Sequence, residues 1–268
     1  MGGVRVLMPL EVISQAVDEH QPSAVFALFS GGHDSVCALR VAVEHPRFTA
    51  AVHINTGTGI PETRDYVYDT ARALGVPLLE YSPREDRTYE WYVMRFGFPG
   101  PGQHSLIYRW LKERQVERLM REHTRGPRDR IVLISGVRRQ ESVRRMGTAK
   151  EVQRRGGQVW VAPIIDWSAA QRLPYMEKHG ITPSPVVQAI HRSGECNCGA
   201  YGSPQELEEM EFWGFKTAPT MLRDLERRVF AVKPNACRWA SRPIPAISDD
   251  QPMLPLCASC PTRWEPTA

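Results

Sequence analysis

The stretch AVFALFSGGHDS, residues 24–35, decides how the rest of the chain is read. Its first six residues, Ala24 to Phe29, are the longest purely apolar run in the sequence. A short apolar run stopped by two glycines predicts a buried strand. A helix is predicted to follow over 34–44, with Val36, Leu39 and Val43 on one face. Gly31 and Gly32 let the backbone between them turn tightly and approach an anion with no Cβ in the way. The free N–H groups and the positive dipole end of the helix then favour phosphate at that turn. Ser30 and Ser35 can add hydroxyl donors. Asp34 repels phosphate, so it is expected to act through Mg²⁺ or by orienting the loop. No Gly-Lys-Ser/Thr follows, and the spacing is not that of a dinucleotide GxGxxG turn. The plainer alternative is an ordinary strand-to-helix turn.

Outward from this loop, strands and helices alternate. Strands are predicted over 48–55, 76–82, 130–136 and 158–165. Helices are predicted over 61–74 and 86–96, and again over 105–123 after the interruption GFPGPG (97–102). This order suggests βαβ units and a parallel sheet. Further helices are predicted over 168–179, 204–213 and 219–232, with a Pro-rich stretch from Pro243 to Pro255. A soft boundary near Ile190 divides a region 1–190 from a Cys-rich region 191–268.

The composition is that of a folded protein: 42% hydrophobic and 24% charged over 268 residues, which excludes bulk disorder. No apolar run approaches the roughly 20 residues of a membrane span. Pro9 and Glu11 arrive before any sustained apolar stretch, so a signal peptide is not expected and a cytoplasmic location is. The net charge of +4 is too mild to identify a polyanionic partner by itself.

The arginines are clustered. Arg138, Arg139, Arg144 and Arg145 crowd the turn after the fourth strand, where guanidinium forks suit phosphate. Arg109, Lys112, Arg114, Arg118 and Arg121 lie on one helix with Tyr108 and Trp110 interleaved, a pattern that suits base stacking or, alternatively, an amphipathic surface helix with core aromatics. His104 is a candidate acid–base group or a structural residue of its loop. Cys196-x-Cys198, Cys237 and Cys257-x-x-Cys260 supply five thiols, suited to Zn²⁺ or to an iron–sulfur cluster such as [4Fe–4S]. Cys37 reads as a small buried residue.

Several of these segments carry a resemblance in order along residues 22–190. Ser30 to Ser35 is similar to the SGGxDS pyrophosphate loop of the ATP pyrophosphatases and phosphoadenylyl-sulfate (PAPS) reductases. Asn55-Thr56-Gly57 with Ile60-Pro61-Glu62-Thr63 resembles the (D/N)TG…PET element of the PAPS reductase branch. Leu111-Lys112 resembles its Cys…Leu-Lys segment without the Cys, Gly136 to Ser142 its G-x-R-x-x-E-S turn, and Pro163 to Trp167 its PI…W segment.

The resemblance implies an α/β fold with a five-stranded parallel Rossmann-like sheet of the adenine nucleotide alpha-hydrolase (HUP) type, carrying a Cys-rich appendage. It implies that Ser30, Gly31, Gly32, His33, Asp34 and Ser35 hold the pyrophosphate end of a nucleotide. Asn55, Thr56 and Gly57 would lie near the adenosine, with Gly136, Arg138 and Arg139 in the same site. Asp34, Arg138 and Lys112 would take the catalytic roles. The chain departs from true PAPS reductases in ending CASCPTRWEPTA, with no ECGLH carrying a nucleophilic Cys. Its Cys-rich tail looks more like the DNA-phosphorothioation sulfurtransferases. The expected activity is therefore that of an ATP pyrophosphatase, with ATP and Mg²⁺, that adenylates a substrate for sulfur transfer. DNA or tRNA would be the acceptor and a cysteine desulfurase the sulfur donor. The alternatives are a PAPS or APS reductase, and a non-catalytic nucleotide-binding subunit with structural zinc.

Overall fold

A computed structural model describes residues 8–141 and 149–243. The first element, α1 (Pro9–His20), is not anticipated by the sequence reading, although Pro9 opens it and Met8 N–H donates to Glu11 Oε2 at 2.8 Å as a helix start requires. There follow β1 (Ala24–Leu28), α2 (His33–Val43), β2 (Phe48–Ile54), α3 (Pro61–Ala73) and β3 (Leu78–Tyr81). Next come α4 (Tyr89–Phe96), α5 (His104–Tyr108), α6 (Arg114–His123) and β4 (Ile131–Ile134). The order continues through β5 (Val152–Arg155), β6 (Gln158–Val161), α7 (Ala169–Lys178), α8 (Pro185–Ile190), α9 (Gln205–Phe212) and α10 (Thr217–Val232).

The sheet order is β3-β2-β1-β4-β6-β5. The five expected strands are all present and pair in parallel. One strand is additional: β5 pairs antiparallel with β6 across Gly156 and Gly157, and Gly156 has the positive φ (+59°) that such a tight turn needs. The expected strand over 158–165 stops at Val161, because Pro163 has no N–H to continue a ladder.

Alternation along β1 sends its side chains to two cores. Val25, Ala27 and Phe29 join a cluster with Val12, Ile13, Val36, Leu39 and Ile164. Ala24, Phe26 and Leu28 join the opposite one with Val52, Val116, Leu119 and Leu133. Helices therefore cover both faces, as a parallel sheet requires. A third cluster gathers Tyr89, Tyr92, Ile107, Leu111, Ile190, Leu207, Met210, Leu222 and Trp239, so elements on both sides of residue 190 share one apolar interior. Among the described residues no helix is long and apolar enough to cross a membrane.

The helix expected over 105–123 is not continuous. Residues Arg109–Glu113 form a π-turn between α5 and α6. The wider turn reduces the angle between successive side chains, and Leu111 (1% exposed) and Lys112 (6%) both face inward. Sheet order also fixes where a ligand would lie. The strands run outward from β1 in both directions, so the loops after β1 and β4 face each other across the crevice where open α/β sheets bind ligands.

Candidate functional site

Ser30 to Gly32 leave the sheet and Gly32 is the cap of α2. Gly31 takes φ +81°, and a Cβ there would meet Thr63 Cγ2 at 2.7 Å, so the turn needs glycine on both counts. The two serines tie the loop together. Ser35 Oγ donates to Gly32 O at 2.8 Å, and Ser30 N–H and Oγ both donate to Ser35 Oγ, at 3.3 and 3.2 Å. The loop after β4 closes against it: a Cβ on Gly136 would lie 2.5 Å from the carbonyl carbon of Asp34 and 2.6 Å from Ser35 N. Sequence separation of about a hundred residues is thereby reduced to van der Waals contact.

Asp34 sits in the first turn of α2 with two arginines on one oxygen. Arg138 Nε donates to Asp34 Oδ1 at 2.7 Å, and Arg172 Nη1 lies 3.2 Å from the same atom. Arg138 is 5% exposed and its Nη1 also donates to Trp167 O at 3.1 Å. Arg139, by contrast, turns to Asp166, and its N–H donates to Ile165 O. Thus Ser30, Gly31, Gly32, His33, Asp34, Ser35, Gly136 and Arg138 are brought together, while the Arg139 side chain is directed elsewhere. Arg172 is a member of this cluster that sequence reasoning missed.

His33 is 8% exposed and its Nε2 has no partner among the described residues. Burial, then the Arg172 guanidinium, lowers its pKa below the ordinary histidine value. A pKa depressed in the fold means stability intact above the unfolded value of about 6.5 and lost as pH falls through the lower folded value. Chemical denaturation between about pH 7.5 and 5.5 should show wild type losing stability on acidification, and His33→Gln losing less. Equal losses in the two proteins would exclude His33 as the source.

On the other side of β1, Asn55 Nδ2 donates to Glu80 Oε1 at 3.2 Å, and Asn55 Oδ1 accepts from Gly57 N–H at 3.0 Å. The loop from Thr56 to Ile60 carries the segment around Cys196. Thr56 Oγ1 donates to Glu195 O at 2.9 Å, Asn197 N–H donates to Thr58 Oγ1 at 3.0 Å, and Ile60 N–H donates to Gly194 O at 2.9 Å. Gly59 permits this approach, since a Cβ there would sit 2.7 Å from Glu195 O. Lys112 does not join the Asp34 cluster. Its Nζ pairs with Glu195 Oε2 at 2.7 Å, with the two side chains 8% and 6% exposed.

Cys198 is buried and Cys196 half-buried beside it. The Cys196 thiol is pushed well up, first by its hydrogen bond with Cys198 and then by burial. Trp239 Nε1 donates to Asn197 O at 3.0 Å, which brings the chain near Cys237 against this segment, although Cys237 itself is exposed. Among the described residues no group of three or more His, Cys, Asp or Glu is placed to hold a metal ion. Cys257, Cys260, Arg144 and Arg145 lie outside the described residues. The two adjacent thiols fit half of a four-thiolate site and no more. Cys37 is fully buried and its thiol is pushed up to about 12, chiefly by burial.

Along the Arg-rich helix the two aromatics differ in exposure. Tyr108 is buried, whereas Trp110 is half-exposed, stacks on Trp91 with ring centroids 5.3 Å apart, and lies under Arg114 at 4.2 Å. Arg118 pairs with Glu122 at 3.0 Å, and Arg121 is exposed. His104 is buried against the Tyr201 ring.

Known proteins resemble this chain in sequence and in fold. Two curated relatives are phosphoadenosine 5'-phosphosulfate reductases. That of Xylella fastidiosa (strain M12) is 25% identical over 206 residues, covering 74% of this chain and 82% of the relative. That of Sodalis glossinidius (strain morsitans) is 26% identical over 207 residues, covering 74% and 80%. The crystal structure of phosphoadenylyl-sulfate (PAPS) reductase from Candida auris, a phosphate complex, superposes with TM-score 0.52 at 19% identity over 68% of this chain and 84% of that one, a likeness of fold. Residues 24–200, which hold β1, the Gly136 turn and the Cys196 segment, match the family model for the phosphoadenosine phosphosulfate reductase domain, and the chain belongs to that family.

Proposed function

We propose that the protein is an ATP pyrophosphatase that adenylates its substrate for sulfur transfer. The observation that carries this reading is the loop at 30–35, a glycine turn at a helix start where Arg138 and Arg172 converge on Asp34. Such a cradle suits a leaving pyrophosphate, and magnesium would arrive on the triphosphate as part of the substrate. A substrate oxygen attacks the α-phosphorus. The bond to the bridging oxygen breaks, and pyrophosphate leaves with the electron pair. Loop N–H groups and the α2 dipole stabilise the charge on the leaving group, while Arg138 holds Asp34 and fixes the start of α2. A sulfur nucleophile then displaces AMP, forming its bond to the activated centre as the oxygen–centre bond breaks.

The acceptor in this reading is DNA or tRNA, supported by the arginines around the half-exposed Trp110, with a cysteine desulfurase as sulfur donor. Cys196 and Cys198 would supply half of a Zn²⁺ or [4Fe–4S] site, with Cys237, Cys257 and Cys260 as candidates for the rest. A bound zinc would brace the tail, and a cluster would offer iron to a sulfur atom.

A PAPS reductase is the second reading, favoured by the names of the relatives. There a thiolate attacks the sulfonate sulfur, the sulfur–oxygen bond to the nucleotide breaks, and a second thiol releases sulfite as a disulfide forms. Cys198 suits this poorly, because it is buried, and the ECGLH segment that carries the nucleophilic Cys in that family has no counterpart in the sequence. The test offers ATP with magnesium, DNA or tRNA and a cysteine desulfurase with cysteine, and separately PAPS with a dithiol reductant, to wild type and Asp34→Ala. Pyrophosphate and AMP from ATP are expected, reduced by on the order of 100-fold in the variant. Sulfite from PAPS without pyrophosphate from ATP would reverse the assignment.

A further inference from the structure

We propose that Arg172, on α7, is the arginine that takes the terminal phosphoryl oxygens of a nucleoside triphosphate. The proposal rests on the nucleotide reading of the loop and deepens it, since it assigns the length of phosphate chain that the site selects.

Two guanidinium groups converge on a single carboxylate oxygen, Asp34 Oδ1. One carboxylate cannot neutralise both. The head of α2 therefore carries surplus positive charge before the helix dipole is counted, which favours an anion there. The two arginines are not equivalent. Arg138 is 5% exposed and is fixed by Trp167 O as well as by Asp34. The Arg172 side chain is 23% exposed, and its Nε makes only a long bond of 3.3 Å to Ala169 O of its own helix. Arg172 is thus the one able to leave Asp34 for an incoming phosphoryl oxygen, while Arg138 stays and keeps Asp34 compensated. Asp34 holds the place of that anion until it arrives.

The backbone under Arg172 is anchored, so only the side chain needs to move. Ser168 and Gln171 cap α7, Met176 is fully buried, and Cys37 Sγ approaches Arg172 O at 3.9 Å from α2. His33 provides a second, independent sign of a ligand. It is 8% exposed at the start of α2, and its Nε2 lacks a partner among the described residues. Sheet order then decides which end of the nucleotide Arg172 meets. Asn55 to Gly57 follow β2 on one side of β1, whereas Arg138, Trp167 and Arg172 come after β4, on the other side. An adenosine toward Asn55 leaves the far phosphates toward Arg172.

Binding of ATP with magnesium, of AMP and of inorganic pyrophosphate to the full chain tests this by calorimetry. Arg172→Met keeps the stem and removes the charge. It is expected to weaken ATP and pyrophosphate about 10- to 100-fold and AMP by less than about threefold, with Arg172→Lys regaining part of the loss. Equal weakening of ATP and AMP, or unchanged ATP binding, would overturn the assignment while leaving the loop reading intact. Wild type that binds neither ATP nor pyrophosphate would overturn both. Should Arg172→Met not fold, Arg172→Lys decides alone: a loss for ATP with AMP unchanged supports the proposal, and any other pattern rejects it.

Discussion

Gly136→Ala should remove nucleotide binding and turnover while leaving most of the fold in place. Its Cβ would lie 2.5 Å from the Asp34 carbonyl carbon and 2.6 Å from both Asp34 O and Ser35 N. These are backbone atoms in the first turn of a helix, so none can rotate aside. Either α2 shifts away or the β4 loop does, and both separate Arg138 from Asp34 and open the glycine turn. Overpacking of this kind costs about 1–3 kcal/mol of stability. The functional loss is larger, since a displacement of about 1 Å in a positioned site costs on the order of 100-fold in rate. Gly126→Ala is the control: nothing lies within 4 Å of its added Cβ, and its stability should stay within about 0.5 kcal/mol of wild type. Nucleotide titration and thermal melting of the two variants check this. Unimpaired ATP binding by Gly136→Ala would mean that the β1 and β4 loops do not form one site.

What could be read in the sequence was whatever lies contiguous along it. The six residues before Ser30 are apolar because β1 is buried on both faces, and the glycines after them mark the turn directly. Arg138 was legible because it follows a strand in the same way. β5 escaped because Val152–Arg155 is a charged, largely exposed edge strand with no apolar face to display. The π-turn escaped because Arg109–Glu113 keeps good helix formers while changing only the hydrogen-bond step. Arg172 and Glu195 escaped for a different reason. Their partners, Asp34 and Lys112, are 138 and 83 residues away, and no local pattern encodes such a pairing. A catalytic role for Lys112 was indicated only by resemblance. Its position against the Cys196 segment, and not against Asp34, depends on a tertiary contact that its neighbours in sequence do not specify.

That contact yields the largest expected effect on stability. Lys112→Met removes one partner of an ion pair whose side chains are 8% and 6% exposed, and leaves the Glu195 carboxylate buried. Its other oxygen, Oε1, has no partner among the described residues, so the carboxylate has little else to satisfy it. Breaking such a pair from one side costs about 3–5 kcal/mol. The cost should fall where Glu195 is anchored, on the Thr56–Thr58 loop and the Cys196–Cys198 segment, and nucleotide affinity should drop with it. Glu195→Gln in the same background removes the charge without changing the shape, and should recover more than about 1 kcal/mol. The paired comparison distinguishes this from simple loss of packing, because Glu195→Gln restores no contact to the substituted side chain and acts only on the stranded charge. Chemical denaturation of wild type, the single variant and the double variant checks it. Equal stability of Lys112→Met with and without Glu195→Gln would show that the buried carboxylate is not what Lys112 compensates.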